Sequence, residues 1–362
     1  MNTRIFGLSV SALVALAVAL AAGWFLLGAL GAGTVAVLVL ALYYAIPAAS
    51  FNFLFGSLGV FSLAQAVFVA VGAYTDVYLY NVYGVSPWLS LLIAPVFAGI
   101  IALPIALASV RAGTGAVLTA LITLIISEAI PPILIAIKPL GGAIGLYVKT
   151  KANPSFWDMQ FGSGVSFARM FLVLNVLIIV FMMWWNRSRF GFFVRAIRDS
   201  PDASAAVGIP TARMRILTFV IAAALAAPAG VVFAQYSLET TADLFLGGTA
   251  LFEVIVIALV GGAARAWGSV VGAVVIVYVA NAMSNAANGA PGIGPLTFAA
   301  VFVVIAVAMP RGLSGTWALL ADRRRRAAGG TLASPPAPAA EPEARPVDDH
   351  AHRATEHDVA SG

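Results

Sequence analysis

Apolar residues fall in continuous runs at 6–27, 34–55, 60–83, 88–110, 114–137, 166–186, 214–235, 249–263, 267–288 and 293–310, with mostly short polar turns between them. Most runs have the roughly 20 residues that a helix needs to cross a hydrocarbon core. They lack the short alternating segments of a membrane β-barrel. The pattern predicts an all-α polytopic integral membrane protein with about ten transmembrane helices. The eighth run is short and bordered by Gly261-Gly262, so it is expected to be re-entrant or broken. Ala17-Val18-Ala19 mimics a signal-cleavage site, but the apolar character continues through Leu30, and a retained first span is expected.

One interruption is longer than a turn between spans requires. Residues 187–215 carry six arginines (Arg187, Arg189, Arg195, Arg198, Arg213 and Arg215) and two acids, Asp199 and Asp202. The interior of this loop reads as a short capped helix. Ser200 is an N-cap residue, Pro201 sits where proline is tolerated, and Asp202 suits the positive helix end. Residues 203–207 propagate it, and Gly208 supplies a left-handed stop. Two turns of helix are marginal alone in water, so the element is expected to dock against something.

Composition narrows the class. The 362 residues are 61% hydrophobic and 10% charged, with a mean hydropathy of +0.99. There is no cysteine, which excludes disulfides, thiolate metal sites and cysteine nucleophiles. The three histidines, His350, His352 and His357, lie near the end of the chain, so no histidine in a span serves as ligand or base. With the N-terminus in the cytoplasm, fourteen basic residues fall inside (Arg4, Arg111, the six of the long loop, Arg265, Arg311 and those at 323–326) against four outside (Lys138, Lys149, Lys151 and Arg169). The positive-inside rule then puts both termini in the cytoplasm. The net charge of +5 follows from this topology and implies no nucleic-acid partner. A transmembrane domain is therefore expected over 1–322. It is followed over 323–362 by a basic anchor to anionic headgroups and a disordered cytoplasmic tail rich in Ala, Pro and Glu.

Chemistry-bearing motifs are sparse. The glycine spacing before Lys149-Thr150 does not make a P-loop, and HExxH, GxSxG and metal-ligand clusters are missing, so neither an enzyme nor a bound cofactor or metal is expected. Three acids lie inside the runs: Asp76, Glu128 and Glu253. Near the bilayer centre each costs about 2.5–3.5 kcal/mol, so each should face protein or an aqueous path. A hydrogen bond to a neighbouring helix is the plain alternative to a role in transport. Asn52, Ser62 and Gln65 are neutral polar groups open to the same two readings, lining a passage or bonding between helices. Gly268 and Gly272 form a GxxxG, and residues 226–230 are Ala, Pro and Gly, as close helix seams require.

These stretches resemble the LivM-type permease of branched-chain amino acid ABC importers over most of residues 40–315. Residues 52–75 (NFLFGSLGVFSLAQAVFVAVGAYT), 123–130 (TLIISEAI), 190–209 (FGFFVRAIRDSPDASAAVGI), 251–262 (LFEVIVIALVGG) and 309–315 (MPRGLSG) follow in the family's order. The sequence departs from the family at Ala64-Gln65, where many members have Gly-His, at 263–266 and at Ser269. The substrate is therefore open between branched-chain or other small hydrophobic amino acids and urea or short amides. A stand-alone channel or secondary carrier is the other class. The resemblance implies the ABC importer permease fold in a bacterial cytoplasmic membrane. It further implies a LivH-like second permease, two ABC ATPase subunits and an extracytoplasmic substrate-binding protein. It makes the 187–215 loop a coupling element entering a groove on an ATPase, with Arg195, Arg198, Asp199, Ser200, Pro201, Asp202, Ala205 and Gly208 at the contact. Asn52, Ser62, Gln65, Glu128 and Glu253 become the candidates for the translocation path.

Overall fold

A computed structural model of the chain describes residues 8–286 apart from 114–115 and 263–266, together with 4–5, 296 and 300. The closing motif at 309–315, the basic anchor and the tail lie outside the described residues, as do Arg265 and almost all of the tenth run. The helices are α1 (Val10–Ala29), α2 (Ala32–Leu58), α3 (Gln65–Tyr83), α4 (Pro87–Arg111), α5 (Ala116–Ala136), α6 (Gly164–Arg187), α7 (Arg189–Asp199), α8 (Pro201–Ala206), α9 (Thr211–Ser237), α10 (Ala242–Leu246), α11 (Gly248–Gly261) and α12 (Gly268–Ala286). Among the described residues, seven stretches are long and apolar enough to cross a membrane, namely α2, α4, α5, α6, α9, α10 with α11, and α12. The chain is an all-α polytopic membrane protein.

Two of the predicted runs change shape. The third begins at Gln65 rather than residue 60, because 59–64 is not helical. Gly59 caps α2 with φ +69° and its N–H donates to Phe55 O at 2.8 Å. The eighth run, 249–263, is one continuous helix to Gly261, extended at its start by a short helix before Gly247. Gly247 adopts φ −52°, ψ 145° and separates α10 from α11, and together the two helices reach from Ala242 to Gly261.

The core forms where backbones approach. α2 is buried on most sides through its middle, between α6, α9, α11 and α12, as a helix apolar all round must be. Proline at 47 removes the donor for the Tyr43 carbonyl. One turn away, the Asn175 amide of α6 donates to Leu42 O and to Phe171 O, each at 2.9 Å, and ties the two helices together. α3 and α9 cross at Gly72 and Gly230, where an added Cβ would stand 2.1 Å from Ala227 O and 1.9 Å from Val69 O respectively. Only glycine permits that approach.

Loops collect at two ends of the bundle. At one end Leu146–Tyr147 pairs with Glu239–Thr240, and the 148–162 loop is tied to the end of α3. Asn81 Nδ2 donates to Tyr147 O at 2.8 Å and Lys149 Nζ to Asn81 O at 2.9 Å, while Lys151 pairs with Asp158. At the other end lie the 59–64 turn, α7 and α8.

Candidate functional site

The polar loop turns out to be two helices, and its entry is built from backbone constraints. Ser188 caps α7, accepting Gly191 N–H at 3.1 Å and donating to Trp185 O at 2.7 Å. Gly191 lies so close that a Cβ would meet Trp185 O at 2.1 Å. One face of α7 buries Val194 and Ile197 in the core, while Phe190, Phe192 and Phe193 stay exposed. Arg195 Nη1 donates back to Asn186 O at 2.7 Å.

α8 follows without slack. The Ser200 N–H donates to Ala196 O at 3.0 Å and Ser204 N–H to Ser200 O at 3.1 Å, so the backbone of Ser200 serves both helices. Its hydroxyl makes no capping bond, contrary to the expectation from residue type, since φ −155° and ψ 98° place Ser200 as the C-cap of α7 too. Val207 ends the helix one residue earlier than predicted, and Gly208 reverses the chain at φ +83° with its N–H on Ala205 O at 3.0 Å. Ile209 N–H then closes on Ser204 O at 3.1 Å. Ser204 is buried, whereas Asp202, Ala203, Ala205 and Ala206 are exposed and Val207 is 77% exposed. The result is a short convex ridge of small side chains, rigid at both ends.

Arg198 does not point away from the chain. Its Nη1 donates to Gly56 O in the last turn of α2 at 2.7 Å, and Nε donates to Asp199 Oδ1 at 3.0 Å. Beside it runs the 59–64 turn, which Ser62 and α5 hold in place. Ala64 N–H donates to Ser62 Oγ at 3.3 Å. Leu63 N–H donates to Thr123 Oγ1 at 3.0 Å, and Ser127 Oγ donates to Leu63 O at 3.0 Å. Gln65 opens α3, and its Oε1 accepts from Ser50 Oγ at 2.7 Å. Ser50 is more than two turns inside α2, so the 59–64 segment climbs back into the bundle beside that helix.

The proposed path residues do not form one cluster. Ser62 and Gln65 belong to this turn, where Gln65 Nε2 has no partner. Asn52 is buried with neither amide atom partnered. Glu253 is half-buried near Tyr44 of α2. Glu128 is exposed on the open face of α5 with Val117, Leu121 and Ile125. Asp76 is fully buried and joins α3 to α9, accepting Gln235 Nε2 at 2.7 Å on one carboxyl oxygen, while its other oxygen and the buried Ser90 hydroxyl of α4 have no hydrogen-bond partner. Among the described residues no group of acids or histidines converges as a metal site. Residue-type reasoning missed Ser50, Thr123 and Ser127. The last two are four apart on one face of α5, a spacing that could have marked them as a pair.

A family model described as "Branched-chain amino acid transport system / permease component" matches residues 33–309. The chain is 25% identical over 273 residues to a probable branched-chain amino acid transport permease protein LivH of Methanocaldococcus jannaschii, covering 70% of this chain and 82% of that protein. It is 25% identical over 265 residues to the high-affinity branched-chain amino acid transport system permease protein LivM of Escherichia coli K12, covering 68% of this chain and 62% of that one. To the LivH protein of Salmonella typhimurium it is 29% identical over 174 residues, 45% of this chain and 55% of the relative. No solved structure matches.

Proposed function

The chain belongs to the family of branched-chain amino acid transport permease components, and from that membership we propose that it is a LivM-type permease subunit of an ATP-driven ABC importer. In this reading it sits in the bacterial cytoplasmic membrane with both termini inside. It carries branched-chain or other small hydrophobic amino acids and forms half of the translocation path with a LivH-like second permease. A substrate-binding protein delivers solute from outside, and ATP is hydrolysed on two separate ABC subunits, so this chain performs no catalysis itself. The observation that supports coupling best is α8: a ridge of exposed small residues on a helix too short to stand alone, held rigidly at Ser200 and Gly208. A short rigid ridge seated in a groove moves as a unit with the groove. Lipid surrounds the apolar outer faces, and the basic residues beyond 322 anchor the end of the transmembrane domain.

A second reading keeps the importer class and exchanges the solute for urea or a short amide. It draws on the buried neutral amides of Asn52 and Gln65, which have unpartnered polar atoms and carry no charge. Reconstitution tests both. The complete assembly in proteoliposomes should take up leucine on addition of ATP, and this subunit alone should not. ATP-independent uptake by the isolated subunit would place it among channels or carriers. Ligand screening of the binding protein by thermal shift separates amino acids from amides.

A further inference from the structure

The carbonyls in the last turn of a helix lack intrahelical donors and carry the negative end of its dipole. In α2 the Phe55 carbonyl is taken by Gly59 N–H, and the Gly56 carbonyl is taken by Arg198, 142 residues further along the chain. Arg198 reaches that carbonyl by passing over Gly59, where an added Cβ would stand 3.0 Å from its Cγ. Gly59 also has φ +69°, so glycine is required there twice over. Asp199 takes Nε at 3.0 Å and Nη2 at 3.0 Å and orients the guanidinium, while the burial of Val194 and Ile197 fixes the helix that carries it.

We infer that Arg198 is a positioning residue that latches the coupling helices to the end of α2, so that movement of α8 enters the membrane through α2 and the 59–64 turn. This rests on the reading of α8 as the coupling element. It differs from the expectation that Arg198 serves as an anchor on the ATPase, because its donors are directed into its own chain. Arg198 lies in the helix that α8 continues, and the Ser200 link between them leaves no slack to absorb a displacement. Beyond the latch, α2 runs directly into the turn whose Leu63 backbone is held on both sides by α5 and whose Gln65 is bonded back to Ser50. A pull on Gly56 is therefore a pull on the point where α2, α3 and α5 meet.

The test uses the full complex in proteoliposomes and reads solute molecules imported per ATP hydrolysed, together with retention of the ATPase subunits on gel filtration. Arg198→Ala and Gly59→Ala should each lower that ratio about tenfold, the size of a typical coupling free energy, with the ATPase subunits retained. Arg198→Lys, which keeps the charge but not the forked geometry, should recover only part of it. Combining Arg198→Ala with Gly59→Ala should lower the ratio no further than Gly59→Ala alone, which already breaks the latch as well as straining the φ +69° turn. A wild-type ratio in Arg198→Ala overturns the latch. So does loss of the ATPase subunits in Arg198→Ala with Gly59→Ala silent, which would make Arg198 an outward anchor. If the wild-type complex shows no ATP-driven uptake at all, the importer reading itself fails, independently of the variants.

Discussion

A Cβ on Gly230 would stand 1.9 Å from Val69 O and 2.7 Å from Ala73 N, and both obstacles are backbone, so no rotamer change relieves them. α3 and α9 must part or slide, and overpacking of this kind costs about 3 kcal/mol. Gly230→Val is expected to lower the midpoint at which the detergent-solubilised chain loses its monodisperse peak on heating, and an unchanged midpoint would mean the seam is loose. At the 148–162 loop the residue-scale effect is electrostatic. The Lys151 ammonium, helped by the Ser155 N–H, holds the Asp158 carboxyl well below the usual carboxylate range. A depressed carboxylate contributes stability above its unfolded value, about 4, and loses it only as pH falls through the lower folded value. The 148–162 loop should therefore resist proteolysis equally at pH 8 and pH 5. Asp158→Asn should expose it to cleavage even at neutral pH, because Ser155, Tyr80 and Lys151 all converge on that one side chain. Cleavage of the wild-type loop rising between pH 8 and pH 5 would contradict this.

At the level of elements, α8 depends on its stop. Nothing lies within 4 Å of where a Gly208 side chain would begin, so a substitution there meets no clash and is felt only through φ +83°. A left-handed β-branched residue costs about 1–2 kcal/mol, comparable to all that a two-turn helix has. Gly208→Val should fray α8 and depress ATP-driven uptake several-fold, whereas Gly208→Asn, which tolerates that conformation, should retain most of it. Equal uptake in the two variants would show that the stop is dispensable. The contrast also explains what was legible in the sequence. Pro201 and Gly208 mark α8 because their preferences are local, and the spans are marked by length and apolarity alone. Hydropathy starts α3 too early because 59–64 is as apolar as the helices around it, so a break there has no hydropathic signature. Residue type predicts a capping hydroxyl at Ser200 because it does not reveal that the Ser200 backbone already serves α7. The partner of Arg198 was out of reach for a different reason, since a carbonyl of Gly56 is a backbone group and every residue but proline offers the same one.

Across the whole molecule the helices are unequally covered. Two-thirds of the most apolar stretch of α2 is buried (67%) against 17% for α5, so α5 has neighbours on one side only. That side is polar in a useful way, with Thr123 and Ser127 gripping the 59–64 turn, while the open side carries Val117, Leu121, Ile125 and the exposed Glu128. Lipid on the open face would leave Glu128 unpaired in hydrocarbon at a cost of about 2.5–3.5 kcal/mol near the centre. A second permease subunit or a hydrated path removes that cost, and the face of α5 is accordingly expected to meet the other half of the transporter. The exposed apolar residues elsewhere, such as Leu177 on α6 and Leu103 on α4, have no such acid beside them and suit lipid. The chain contains no cysteine, so single substitutions report cleanly. In the assembled complex, Ile125→Cys or Glu128→Cys should cross-link to a matching cysteine on the second permease. Leu177→Cys and Leu103→Cys should instead be labelled by a lipid-soluble maleimide. Cross-linking through Leu177 with none through Ile125 would turn the molecule round, placing α6 at the interface and leaving Glu128 to be explained by lipid-side hydration.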